Sequence, residues 1–267
     1  MRRLATIAGA AAFSVVAFVA PAQADEASFF VSKGPPASSD RMWRSVLQLT
    51  RWRIPLVLAL LVGAGLPAAP PAAAMVILGG GAVIVVDGNS YCTLTTIGRD
   101  RAGDVVGFTG SQCGGPGSVV AIAGTDTTVG TVVAVNGNLR YAVIKFDAPD
   151  LIPVSDYAGT VINGTGPDPV AGSLVCKWGP ATPGICHPVW RDGWPDVPML
   201  GQFEAGDVGA PVTMDGRLVG LVYGGNLIYR GRYSPPMEVT YLTKFSAILE
   251  DVNAGDGPGS GFVPIGS

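Results

Sequence analysis

The stretch Ala82–Gly98, AVIVVDGNSYCTLTTIG, decides the fold. A β-branched run, Val83 to Val86, meets Asp87-Gly88-Asn89, and a second run carries Tyr91, Thr93 and Ile97 away from it. Val and Ile are stiff at χ1 and favour extended backbone, and Asp-Gly supplies the left-handed residues of a tight turn. Two strands around a turn are predicted. The same pattern recurs at short spacing in VVAIAG, VGTVVAVNGN, YAVIKFD, SLVCKW, APVTMDGRLVGLVYGG and MEVTYLT. A helical pattern of useful length comes only late, in Tyr241–Ala254, where Leu242, Phe245, Ile248 and Leu249 fall on one face. Many short strands followed by one helix indicate an all-β barrel or sandwich. About 180 residues suffice to bury a core. No internal repeat is present. Residues 255–267, GDGPGSGFVPIGS, are Gly- and Pro-rich and are expected to be mobile.

Composition agrees. Gly is abundant at 38 residues and charged residues make up only 14% of the 267, which suits strands and turns better than long solvated helices. From Met75 onward there are 10 Lys/Arg against 17 Asp/Glu, a formal −7, whereas the first 74 residues carry 7 against 3, a formal +4. An acidic domain lacks the basic face a nucleic-acid binder needs, so no nucleic acid is expected as partner. The four cysteines, Cys92, Cys113, Cys176 and Cys186, form no CxxC pair, and His187 is the only histidine, so no metal site and no cofactor are expected.

The N-terminus holds two export-like signals. Residues 1–24 have a basic start, an apolar run and Ala22-Gln23-Ala24, a small-x-small cleavage pattern. Residues 25–53 form a polar, basic linker containing an alternative start at Met42, the preferred start here. Residues 54–74 repeat the signal logic. Arg44, Arg51 and Arg53 precede the apolar run Ile54–Leu66, and Ala72-Ala73-Ala74 offers a second cleavage site. That run falls short of the roughly 20 residues that span a bilayer, and Pro67, Pro70 and Pro71 end any helix there. Both readings place the folded domain, 75–254, outside the cytoplasm, secreted or in the cell envelope. Membrane association through the N-terminal apolar segment is a further possibility.

Four segments together carry a family resemblance. CTLTTIGRDRAGDVVGFTGSQCGG resembles the histidine-bearing segment of bacterial chymotrypsin-like (trypsin-like, S1) serine proteases of the streptogrisin group. VNGNLRYAVIKFD resembles the segment that supplies their aspartate, and EAGDVGAPV resembles their Gly-Asp-Ser-Gly loop. VCKWGPATPGIC is similar to their short disulfide loop. The resemblance spans about Gly79 to Ala254. It implies two six-stranded antiparallel β-barrels with a C-terminal helix, and disulfides Cys92–Cys113 and Cys176–Cys186.

At each catalytic position this chain departs from the family. Gln112 stands for the histidine, Arg140 for the aspartate and Val208 for the serine. Valine has no lone pair to attack a carbonyl, an amide is no base at neutral pH, and a guanidinium accepts no proton. The resemblance also implies an oxyanion hole from the backbone N–H groups of Gly206 and Val208. It makes Asp207 a buried carboxylate that supports the loop and needs an unidentified partner. Arg140 either pairs with some carboxylate in the emptied site or, the reading preferred here, swings out to solvent. His187 is expected in an exposed loop bordering the specificity pocket. Ser90, Ser111 and Ser118 do not rebuild a nucleophile. Val219, Gly220, Leu221, Val222, Tyr223 and Gly224 resemble the cleft strand, whose edge takes an extended peptide by β-addition; equally, they are plain core. The leading expectation is a pseudoprotease binding a peptide or protein in a retained cleft. Its alternatives are an active secreted serine endopeptidase and a structural envelope protein with a collapsed cleft.

Overall fold

The computed structural model describes residues 75–267 apart from Pro183 and Tyr233, so the signal-like segments 1–24 and 54–74 and the linker 25–53 lie outside the described residues. The strands in chain order are β1 (Val76–Leu78), β2 (Val83–Val86), β3 (Ser90–Thr93), β4 (Thr96–Arg99), β5 (Val105–Gly110) and β6 (Val119–Ile122). They continue as β7 (Thr128–Asn136), β8 (Tyr141–Phe146), β9 (Leu151–Pro153), β10 (Asp156–Tyr157), β11 (Thr160–Val161) and β12 (Leu174–Lys177). The second half holds β13 (Ile185–Pro188), β14 (Asp196–Leu200), β15 (Pro211–Met214), β16 (Arg217–Ile228), β17 (Met237–Lys244), helix α1 (Phe245–Asn253) and β18 (Val263–Pro264).

The opening hairpin forms as its residues dictate. Asp87 and Gly88 both take positive φ, 50° and 73°, and β2 pairs with β3 from Val83↔Thr93 to Val86↔Ser90. The first sheet runs β18-β4-β5-β8-β7-β6-β2-β3. β3 lies at one edge and β4 near the other, yet only Leu94 and Thr95 separate them. They are one strand bent at a corner, and the bend closes the sheet. Counting them as one leaves the six expected barrel strands plus β18. The second sheet, β13-β12-β15-β16-β17-β14, has six, and a Val189↔Met199 bridge joins its outer strands. Register shifts at Val120/Ala121, Val132/Ala134, Val212/Thr213 and Val222/Gly224 add the local twist that curling requires. The two curled antiparallel sheets and single helix are the architecture expected from the sequence.

Each barrel has its own apolar centre: Leu78, Ile84, Leu94, Val132 and Ile144 in the first, Val175, Val197, Met199, Val212 and Leu242 in the second. A third cluster joins Phe108 and Tyr141 of the first barrel to Leu218 and Leu221 of the second and to Phe245 and Ile248 of α1. Both disulfides form as expected, Cys92–Cys113 and Cys176–Cys186.

Two expectations need correction. The helix starts at Phe245, because Tyr241–Lys244 is claimed by β17, which pairs with β14 and β16 on its two sides. The tail 255–267 is not loose: β18 pairs with Arg99 and Gly98, and Phe262 is buried edge-on against Phe108. Strand pairing, the buried Phe262 ring and the Ile265 N–H bond to Ile97 O together dock it.

Candidate functional site

The loop between β14 and β15 carries the candidate site. Its centre is a single 3-10 turn, Ala205–Asp207, capped by Glu204, whose backbone N–H donates to Asp207 Oδ2 at 3.2 Å. The Asp207 side chain is fully buried and its partner is Lys177, the last residue of β12, at 2.8 Å. Lys177 is 1% exposed and also donates to the Gln202 carbonyl. Asp207 further accepts from the Thr182 hydroxyl and from the backbone N–H groups of Ala181 and Thr182, both at 3.2 Å. Burial pushes its carboxyl up. Hydrogen bonds from Lys177 and Thr182 and the lysine charge outweigh that, leaving it below the usual range. Gly179 is required here, since a Cβ on it would sit 2.1 Å from Asp207 Oδ1.

The sequence carries a signal for this partner. Val175 and Lys177 lie two apart in β12 and share its buried face. A lysine on the inward face of a strand demands a buried carboxylate, and Asp207 is the buried carboxylate among the described residues.

The first barrel clamps the same loop from the other side. Thr93 donates its N–H to Val208 O and its hydroxyl to Gly206 O, both at 2.8 Å, and the Thr95 hydroxyl donates to Gly209 O at 2.7 Å. Gly209, at φ +87°, tolerates no Cβ, which would meet Thr93 O at 2.1 Å. Val208 is 6% exposed and belongs to the first barrel's apolar cluster with Cys92 and Cys113. A Cβ on Gly110, two residues before Gln112, would lie 2.4 Å from Val208 Cγ1. The Val208 N–H turns back to Ala205 O at 3.3 Å, while Gly206 sits in the 3-10 turn itself.

Gln112 and Arg140 converge on Tyr223. Gln112 Nε2 donates to Tyr223 O at 2.8 Å. Arg140 sits in the β7–β8 turn at φ +56°, its carbonyl accepts the Ser111 N–H at 3.0 Å, and its guanidinium lies 4.2 Å from the Tyr223 ring centroid. It ends in an ion pair with Asp196 at 2.6 Å, the two side chains 35% and 31% exposed. The expectation that Arg140 swings out to solvent is therefore overturned: Asp196, at the start of β14, supplies the carboxylate. Burial and the Asp196 charge push the Tyr223 hydroxyl up to about 12, against the opposing pull of Arg140. Gln112 and Arg140 thus bring an amide and a paired cation to Tyr223, while the Val208 isopropyl group packs beside Gly110, two residues before Gln112.

One open reading is decided and one expectation changes. Val219 to Val222 are buried, with β15 or its entry segment on one side and β17 on the other, so that part of the presumed cleft strand is core. Beyond it, Gly224 to Ile228 pair only with β17, and no described strand takes their other edge. Phe203 packs directly on the face of Gly225, where a Cβ would be 2.3 Å from Phe203 Cβ. His187 is a half-buried strand residue of β13 rather than a loop residue, its ring against Gly201. Among the described residues, no group of three or more His, Cys, Asp or Glu side chains is arranged to hold a metal ion.

No protein-family model matches the chain, and a search of curated proteins finds no relative. Solved structures do match. Thermobifida fusca protease A has a TM-score of 0.54 at 18% identity, covering 66% of this chain and 95% of that one. A Cellulomonas bogoriensis chymotrypsin has 0.53 at 21%, covering 72% and 100%. A Nocardiopsis protease has 0.52 at 19%, covering 66% and 96%. At such identities the likeness concerns the fold: the chain has the chymotrypsin-like two-barrel fold.

Proposed function

We propose that this chain is an exported, non-catalytic homologue of chymotrypsin-like proteases that holds an extended peptide or protein segment against the free edge of β16. The observation that supports the proposal is that Gln112 and Arg140 meet at Tyr223 while Val208 packs beside Gly110, two residues before Gln112. None of Gln112, Arg140 and Val208 can serve as nucleophile, base or orienting carboxylate. Each is also engaged elsewhere: Gln112 with Tyr223 O, Arg140 with Asp196, and Val208 with the apolar cluster around the Cys92–Cys113 bond. The Val208 N–H, one of the two donors an oxyanion hole would need, is used by Ala205 O. Two disulfides support an oxidising, extracytoplasmic location.

The free edge of Gly224–Ile228 supports β-addition, because its outward backbone groups have no strand partner. Gly224 leaves its face open, with nothing within 4 Å of a Cβ placed there. The second reading, a structural envelope protein with a collapsed cleft, draws support from Phe203, which fills the face beneath Gly225.

The test is hydrolysis of a diverse peptide library by the purified full chain, with the library incubated without protein as the blank. Turnover equal to the blank supports the proposal. Turnover above it, lost on His187→Ala, would establish an active endopeptidase instead. Binding of peptide without cleavage separates the proposed reading from the collapsed cleft.

A further inference from the structure

Three of the described cations without an ion pair gather at one end of the free strand edge. Of the 10 Lys/Arg from Met75 onward, Arg101, Arg140, Lys145, Lys177 and Lys244 are ion-paired. Arg99 and Arg217 donate to backbone carbonyls of Gly103 and Thr165. Arg191, Arg230 and Arg232 remain, without an ion pair among the described residues. Two of them share one aromatic ring: the Arg191 and Arg230 guanidiniums lie 5.6 Å and 5.8 Å from the centroid of Trp190. Arg230 and Arg232 follow directly on the edge strand β16, in the run Leu227-Ile228-Tyr229-Arg230-Gly231-Arg232. Leu227 and Tyr229 are 50% and 69% exposed there.

Two nearby carboxylates offset this charge only in part, leaving three cations against two anions. Asp192 turns to the 171 loop, accepting the Ala171 N–H at 2.6 Å. Glu238 stands opposite Leu227 on β17 and is the one opposing charge on the paired strands beside the edge. In a domain of formal charge −7, a basic and aromatic cluster of three arginines without ion pairs, contiguous with an open strand edge, favours anionic partners.

We propose that the partner of the β16 edge is an acidic extended peptide. Its backbone pairs with Gly224–Ile228, and its carboxylates meet Arg191, Arg230 and Arg232 around Trp190, with apolar side chains on Leu227 and Tyr229. The inference rests on the edge-binding reading above and adds the charge of the ligand to it. Guanidinium forks favour carboxylates, and a strand presents alternate side chains to one face, so an alternating acidic and apolar sequence matches the surface.

The experiment is fluorescence anisotropy of the full chain with labelled peptides alternating Val and Glu, the same peptide with Gln for Glu, and the acidic peptide N-methylated at alternate residues. The acidic peptide is expected to bind about tenfold more tightly than its Gln counterpart at low salt. That advantage should shrink between about 0.02 M and about 0.5 M salt. The exposed double variant Arg191→Gln/Arg230→Gln should erase it while leaving the melting temperature unchanged. Equal binding of Glu and Gln peptides overturns the acidic preference and leaves edge binding standing. Equal binding of the N-methylated and unmethylated acidic peptides overturns edge pairing and leaves the charge preference. Failure of every peptide overturns both. Binding to phosphatidylglycerol vesicles with none to peptides assigns the cluster to a membrane surface and overturns the inference.

Discussion

At the scale of single residues, Lys177 and Asp207 carry the clearest energetic consequence. Both are removed from water, so deleting one leaves the other charge stranded. Lys177→Met is expected to cost about 3–5 kcal/mol in urea denaturation, and the double change Lys177→Met/Asp207→Asn distinctly less. The pH dependence has a definite sign. The folded Asp207 carboxyl lies below its unfolded value of about 3.9, so its contribution is full above that pH. It is lost as pH falls through the folded value, and Asp207→Asn should flatten the acid limb of the stability curve. Denaturation midpoints measured from neutral to strongly acid solution check this.

Val208 and Arg140 give a second residue-scale prediction. Val208→Ala removes buried methyl groups from a close-packed cluster and should destabilise by roughly 1–3 kcal/mol. Restoring the triad with Gln112→His, Arg140→Asp and Val208→Ser is expected to remain inactive. The new carboxylate would replace a cation beside Asp196, and the residue 208 N–H is still spent on Ala205 O. Adding Asp196→Asn removes the like-charge conflict. Any activity should appear in the quadruple variant first, read as ester hydrolysis above the blank without protein.

Among the elements, the tail strand is the one that changes the account of stability. Phe108, Phe245 and Phe262 form an edge-to-face trio with centroids 4.9–6.1 Å apart. Phe262, immediately before β18, supplies one ring of the three. Phe262→Ala should cost about 3–5 kcal/mol, and deletion of residues 255–267 at least as much, since it also uncovers Gly98. Calorimetry of both variants decides: an unchanged melting temperature would show the tail to be mere decoration. The two barrels clamp the site loop from opposite sides, Thr93 and Thr95 from one, Lys177 and Thr182 from the other. The loop geometry is therefore held by groups outside positions 112, 140 and 208.

For the whole molecule, the disulfides join segments 21 and 10 residues apart, each within one barrel. Breaking either should cost about 3 kcal/mol by loop-closure entropy. Reduction of the native chain should then lower the melting temperature, and Cys176→Ala/Cys186→Ala should mimic one part of that shift. No helix among the described residues is long and apolar enough to cross a membrane.

What the sequence determined by itself is local or chemical. Strand periodicity repeats every two residues, so Ala82–Gly98 declares its own hairpin. The bond-making capacity of Gln112, Arg140 and Val208 is a property of the side chains wherever they sit. The family resemblance carried by the motifs implied the two barrels and both disulfides. Tertiary structure decided the pairings between distant residues: Lys177 with Asp207 30 positions away, Arg140 with Asp196 56 away, Phe203 on Gly225, and Phe262 on Phe108. Such contacts depend on which faces meet once the barrels close. A period of two shows that Lys177 points inward, but only the closed second barrel shows that Asp207 is waiting there.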